Sequence, residues 1–165
     1  RFYYRFLEPY LGEIEYGRVK GVVDYLEAHL IDYIGTYTFE ELCREWINIK
    51  VDLGEFPFLP ERVGSFWSPQ AQVDVVAINW RTKDILLGEC KWGRQAQGKK
   101  VVDTLIGKTA KVIPAEGDWT VQYAYFTRNP LTLPAQERAN EVNALQVSPS
   151  IMEQDILRWA KQSLI

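Results

Sequence analysis

Val73-Asp74-Val75-Val76-Ala77-Ile78, then Asn79-Trp80-Arg81-Thr82-Lys83-Asp84, then Ile85-Leu86-Leu87-Gly88-Glu89-Cys90-Lys91-Trp92: this stretch decides how the chain folds. The first block is dense in β-branched residues and reads as a strand. The polar middle reads as a turn, and the last block as a second strand. Asp74 lies inside a run of apolar strand formers, where a carboxylate is costly unless a cation or hydrogen bonds compensate it. Glu89 and Lys91 stand two apart and therefore project from one face of their strand. In a hairpin centred on Arg81-Thr82, Asp74 lies opposite Glu89, and two facing carboxylates repel. A divalent cation relieves that repulsion, and oxygen ligands suit Mg²⁺, with Mn²⁺ able to replace it. Lys91, next along the same face, is placed to hold and polarise a water or to stabilise charge on a phosphate. A one-residue slip in register would undo the pairing.

Around this core the pattern alternates helices and strands. Apolar positions Val19, Val22, Val23, Leu26, Leu30 and Ile34 recur at helical spacing from Tyr16 to Ile34, with Gly35 as the stop. Thr38 with Glu41 three residues on forms a capping box for a second helix reaching about Ile49. On that helix Glu40 falls at the edge of the apolar arc, beside Ile47, so it is the glutamate best placed to look toward the sheet as a metal ligand or a supporting carboxylate. Residues 51–70 are rich in Pro and Gly and read as a loop, with room for a short strand at Val63 to Trp67. A helix over Ala96 to Val112, a strand at Val121 to Thr127, a helix over Gln136 to Asn143, a strand at Ala144 to Val147 and a helix from Ser148 complete the order. The expected fold class is α/β, a mixed central sheet flanked by helices.

The chain has 165 residues, 47% hydrophobic and 25% charged, enough for a proper core. A net charge of −3 argues against a surface coated with phosphate-binding residues, though a local basic patch remains compatible. No run of apolar residues is long enough to span a bilayer, so no membrane partner is expected. Cys43 and Cys90 give neither a disulfide framework nor zinc spacing, and a reducing, cytoplasmic setting is the simple reading. The chain begins at Arg1 in an aromatic run, so residues 1–15 read as a connector from an upstream region and residues 16–165 as the domain.

Val73-Asp74, fourteen intervening residues, then Glu89-Cys90-Lys91 resembles the D…ExK signature of the PD-(D/E)xK, restriction-endonuclease-like nucleases. Phe39-Glu40 is similar to the helical glutamate of the archaeal Holliday-junction-resolvase branch. Arg5-Phe6 with Pro9, Gly35…Phe39-Glu40…Cys43-Arg44-Glu45, Gly64…Trp67, Asp74-Val75-Val76-Ala77 and Gly88-Glu89-Cys90-Lys91-Trp92 together resemble the domain of unknown function at the C-terminus of archaeal-type AAA ATPases. That resemblance covers nearly the whole chain. It implies a restriction-endonuclease-like core and Mg²⁺ held by Asp74 and Glu89, with Glu40 as a third candidate. Lys91 assists the attacking water, and the implied reaction is hydrolysis of phosphodiester bonds, in DNA first. It also implies an ATPase module on the same polypeptide, while resolvase-like relatives raise the option of a homodimer. The Pro that usually precedes the Asp is replaced by Val73, so a catalytically degenerate fold, kept as a nucleic-acid-binding or regulatory and oligomerisation module, is the alternative.

Each of these residues has a plainer reading. From spacing alone, Asp74, Glu89 and Lys91 serve equally well as a cross-strand salt-bridge cluster; their apolar neighbours and the resemblance favour a site. A glutamate in a first turn, like Glu40, is favoured by the helix dipole in any protein. Lys99, Lys100, Lys108 and Lys111 read as a solvated helix face before they read as backbone contacts for nucleic acid. Gln95 and Gln97 follow the strand closely without needing to touch the site. Trp67, Trp80 and Trp92 read as core or interface anchors before base-stacking platforms. His29 is the single histidine, which disfavours zinc and His-based acid–base chemistry. Cys90 points to the face opposite Glu89 and Lys91, and neither cysteine has a base partner.

Overall fold

The computed structural model describes residues 2–163, without the side chains of Thr36, Tyr37 and Ser163. The chain divides into two compact units, Arg1–Thr38 and Phe39–Ile165. The regular elements of the N-terminal unit are all helical: a π-helical turn Tyr3–Leu7, a 3-10 turn Glu8–Tyr10, α1 at Leu11–Glu15 and α2 at Val19–Tyr37. The stretch expected to be a connector is therefore regular. Its aromatic residues are the reason: Phe6 is fully buried, with its ring 5.1 Å from Tyr33 and 5.9 Å from Tyr25 on α2. His29 stacks edge-on against Tyr25 at 4.3 Å, a structural placement. α2 also starts later than its sequence pattern indicates and runs through Gly35, since one glycine lowers helix propensity without forbidding the helix.

The second unit is α/β. Helix α3 spans Phe39–Asp52 and is followed by strands β1 (Arg62–Trp67), β2 (Gln72–Asn79) and β3 (Asp84–Lys91). Helix α4 (Lys99–Val112), β4 (Thr120–Thr127), α5 (Leu133–Glu141), β5 (Leu145–Val147) and α6 (Pro149–Ser163) complete it. The sheet order is β1-β2-β3-β4-β5, antiparallel across the first three strands and parallel from β3 to β5, with α4 and α5 as the crossovers. The mixed sheet is thus as expected, and the loop at 51–70 does carry an edge strand.

β3 is central, and the apolar run Ile85-Leu86-Leu87 is buried on both sides, as a strand covered by helices on both faces requires. On one face Ile85, Leu87 and Tyr125 pack with Val102 and Leu105 of α4 and Ala135 and Ala139 of α5. On the other, Trp46 of α3 stacks edge-on against Phe126 at 5.7 Å, and its indole Nε1 donates to Asp155 of α6 at 2.9 Å. The β2–β3 turn is fixed by Asn79, whose Oδ1 accepts from the backbone N–H groups of Arg81 and Thr82, both at 2.9 Å. That turn sets the register, which runs from Asn79↔Asp84 to Val75↔Gly88.

Candidate active site at the ends of β2 and β3

The hairpin register carries Asp74 to the end of the β2–β3 ladder, one step past Val75↔Gly88, level with Glu89. A second feature acts on Asp74 from the other side. Along β1 the pairing jumps from Gly64↔Val76 to Phe66↔Val73, so Asp74 and Val75 together oppose Ser65 alone. This is a β-bulge, a device that bends a strand and re-aims a side chain. Asp74 Oδ2 accepts the backbone N–H of Cys90 at 2.9 Å, and the Asp74 carbonyl accepts from Arg44 Nη1 of α3 at 2.8 Å.

Glu89 is buried at 8% exposure, and both of its oxygens are taken. Lys91 Nζ donates to Oε1 at 2.5 Å, and Lys108 Nζ of α4 donates to Oε2 at 2.9 Å. Lys108 is therefore no solvated surface lysine, unlike Lys99, Lys100 and Lys111, which are exposed. The helical spacing of α4 could not reveal this, because only the crossover from β3 decides which turn of the helix overlies Glu89. Glu40 lies at the margin: its side chain is 51% exposed and pairs with Arg44 at 3.7 Å. It is close enough to influence Asp74 electrostatically. Cys90 faces away from Glu89, with its thiol against that of Cys43. Trp67 and Trp80 are exposed, whereas Trp92 rests on Phe39 with ring centroids 4.7 Å apart. Gln97 is occupied with the carbonyl of Gln95 at 2.9 Å.

The electrostatics follow from this packing. Burial pushes the Asp74 carboxyl above the usual range, and the neighbouring charges of Glu89 and Glu40 add to it, against the Cys90 N–H and Lys91. Burial also pushes Glu89 upward, but the hydrogen bonds from Lys91 and Lys108 outweigh it and hold that carboxyl below its ordinary value. Burial lowers Lys91, yet its bond to Glu89 prevails and keeps the ammonium protonated. The result is an acid that resists ionisation beside an acid that is clamped ionised.

Among the described residues, no group of three or more His, Cys, Asp and Glu side chains could hold a metal ion together. The three-carboxylate set of Asp74, Glu89 and Glu40 is therefore not gathered. That donor set does not suit zinc, but Mg²⁺ needs only one or two carboxylates, with water and substrate phosphate filling the rest of its shell. Asp74 and Glu89 fit that narrower requirement in donor chemistry, and a cation would offset both the burial that chiefly raises Asp74 and the smaller push from the Glu89 charge. Among the described residues no helix is long and apolar enough to cross a membrane.

An uncharacterised protein of Methanocaldococcus jannaschii is 29% identical to this chain over 91 residues. The matched stretch is 55% of this chain but only 20% of that protein, so the chain spans a small part of its relative's length. No solved structure matches the chain. A family model for archaeal and bacterial proteins of unknown function matches residues 3–102, which includes Asp74, Glu89 and Lys91 and stops short of Lys108. With most of its length under that match, the chain belongs to the DUF234 family.

Proposed function

We propose that this chain is a metal-dependent phosphodiesterase domain of the PD-(D/E)xK kind that cuts nucleic acid, DNA in the first instance, as part of a polypeptide that also carries an ATPase module. The observation that carries this reading is the meeting of Asp74, Glu89 and Lys91 at one end of the β2–β3 hairpin. A bulge and a backbone N–H position the first, and two ammonium groups surround the second. Asp74 and Glu89 would hold Mg²⁺ or Mn²⁺, which when bound supplies Lewis-acid activation of the scissile phosphate. The hydrogen bond to Glu89 favours the charged form of Lys91, which suits a charged donor better than a general base. Its ammonium orients the attacking water and neutralises charge that develops on the phosphate oxygens. The sheet supports this role by geometry: β3 and β4 run parallel, and ligands of such sheets bind beyond the carboxyl ends of the strands.

One observation favours a second reading, a degenerate nuclease fold that binds nucleic acid without cutting it. Both oxygens of Glu89 already carry a lysine, so two internal cations do part of what a metal ion would do. Cleavage of supercoiled plasmid and branched DNA in Mg²⁺ and in EDTA separates the two. The first reading expects Mg²⁺-dependent cutting that Asp74→Ala abolishes, and equal cutting by wild type and variant rejects it. DNA binding without cleavage, indifferent to metal, selects the second.

A further inference from the structure

The parallel strands β3 and β4 end side by side, and a second constellation lies there on the α3 face. Arg128 is the first residue beyond β4, and its backbone N–H donates to the carbonyl of Lys91 at 3.0 Å. Its guanidinium lies over the Trp92 ring, Cζ 5.3 Å from the centroid, and Trp92 in turn rests on Phe39 at the start of α3. The loops that follow the two strands are tied together: Asn129 Nδ2 donates to the carbonyl of Gly93, and the Thr132 N–H to that of Gln97, both at 3.0 Å. Arg128 Nη1 is buried and, among the described residues, is the one buried side-chain nitrogen or oxygen without a hydrogen-bond partner. None of the ion pairs among those residues involves Arg128.

A guanidinium cannot escape burial by losing its proton. The Trp92 face compensates part of the charge and fixes the plane of the group, but it offers no acceptor. Arg128 remains partly exposed, so an oxyanion can reach the open edge of the fork. Such an anion would sit on the open edge of the fork and compensate the charge of the guanidinium, while Nη1 stays behind it, out of reach of solvent. The planar fork matches phosphate better than a point-charge lysine does.

We propose that Arg128 is the strand anchor of this site, gripping a nucleic-acid phosphate that neighbours the one presented to Asp74, Glu89 and Lys91. This rests on the phosphodiesterase reading for the course of the strand. Trp92 is the positioning residue that holds the fork in place. Sequence alone gives no hint of it, because Arg128 is a lone arginine after a strand.

The test is fluorescence anisotropy of a labelled DNA duplex with the whole chain in EDTA, over a series of salt concentrations, for wild type, Arg128→Gln and Arg128→Lys. The expected result is about tenfold weaker binding for Arg128→Gln, with the slope of log K against log salt shallower by about 0.9, the loss of one phosphate contact. Arg128→Lys keeps the slope and binds several-fold more weakly, because an ammonium lacks the fork; this variant carries the test should Arg128→Gln fail to fold. Wild-type binding with both variants unchanged overturns the anchor while leaving any Mg²⁺-dependent cleavage intact. Arg128-dependent binding without cleavage supports the anchor and overturns only the hydrolase reading. No binding by the wild type overturns the anchor as well.

Discussion

Replacing Asp74 by Asn should make the metal-free protein more stable while abolishing its response to Mg²⁺. Asp74 is 9% exposed and feels the charges of Glu89 and Glu40, and burial with this repulsion outweighs what the Cys90 N–H and Lys91 return. An asparagine Oδ1 can still accept the Cys90 N–H, now as a neutral hydrogen bond worth about 1 kcal/mol less than a charged one. Against that loss stands the removal of a desolvated, repelled carboxylate. The net gain should be about 0.5–2 kcal/mol, the usual size for relieving a strained functional position. For a chain of this length that raises Tm by about 2–4 °C per kcal/mol. Asp74→Ala should behave oppositely, because it leaves the Cys90 N–H unpaired at a cost of about 1–3 kcal/mol. Thermal and urea unfolding in EDTA reads both signs. Repeated with Mg²⁺ at ten times its Kd, the wild type gains about 1.4 kcal/mol and Asp74→Asn gains nothing. An Asp74→Asn protein that melts below the wild type in EDTA refutes the reasoning, since Asp74 would then be a structural keystone.

Three further outcomes follow from the same geometry. Lys108→Met leaves Glu89 with one cation instead of two and should cost about 1–2 kcal/mol in urea unfolding, while Mg²⁺ binding measured by calorimetry tightens as a competing cation is removed. Acid titration of the urea midpoint should show loss of stability as pH falls. Glu89 and Asp155 are held below their ordinary values of 4.5 and 3.8, so their contribution is complete above those values and disappears as pH drops through the lower folded ones. Asp74, raised above 3.8, has the opposite sign: its ionisation with rising pH costs stability, and Asp74→Asn should remove that component. Gly88→Ala should cost about 1–3 kcal/mol by thermal unfolding, because an added Cβ would stand 2.9 Å from Val75 Cβ and 3.0 Å from Phe126 Cε2.

The parts of this protein that were legible in its sequence are those set by neighbouring residues. The β2–β3 register came from two apolar strands and a polar turn, and Asn79 locks that turn with its own side chain. The pairing of Glu89 with Lys91 followed from strand alternation. What sequence could not supply depends on distant partners. The bulge at Asp74 exists because β1 pairs out of step, and no local pattern records where that edge strand begins its ladder. Lys108 and Arg128 gain their roles only when the crossover through α4 brings β4 alongside β3. The packing of the aromatic run at the start depends on distant residues in the same way, since Phe6 is held by Tyr25 and Tyr33 of α2.

The central claim is that two carboxylates at the end of one hairpin share a divalent cation. Anomalous diffraction from a crystal soaked in Mn²⁺ tests it directly. The account predicts a peak between the carboxylates of Asp74 and Glu89, with at least one of Lys91 and Lys108 turned away from Glu89. A map without that peak, in which both lysines still hold Glu89, would contradict it.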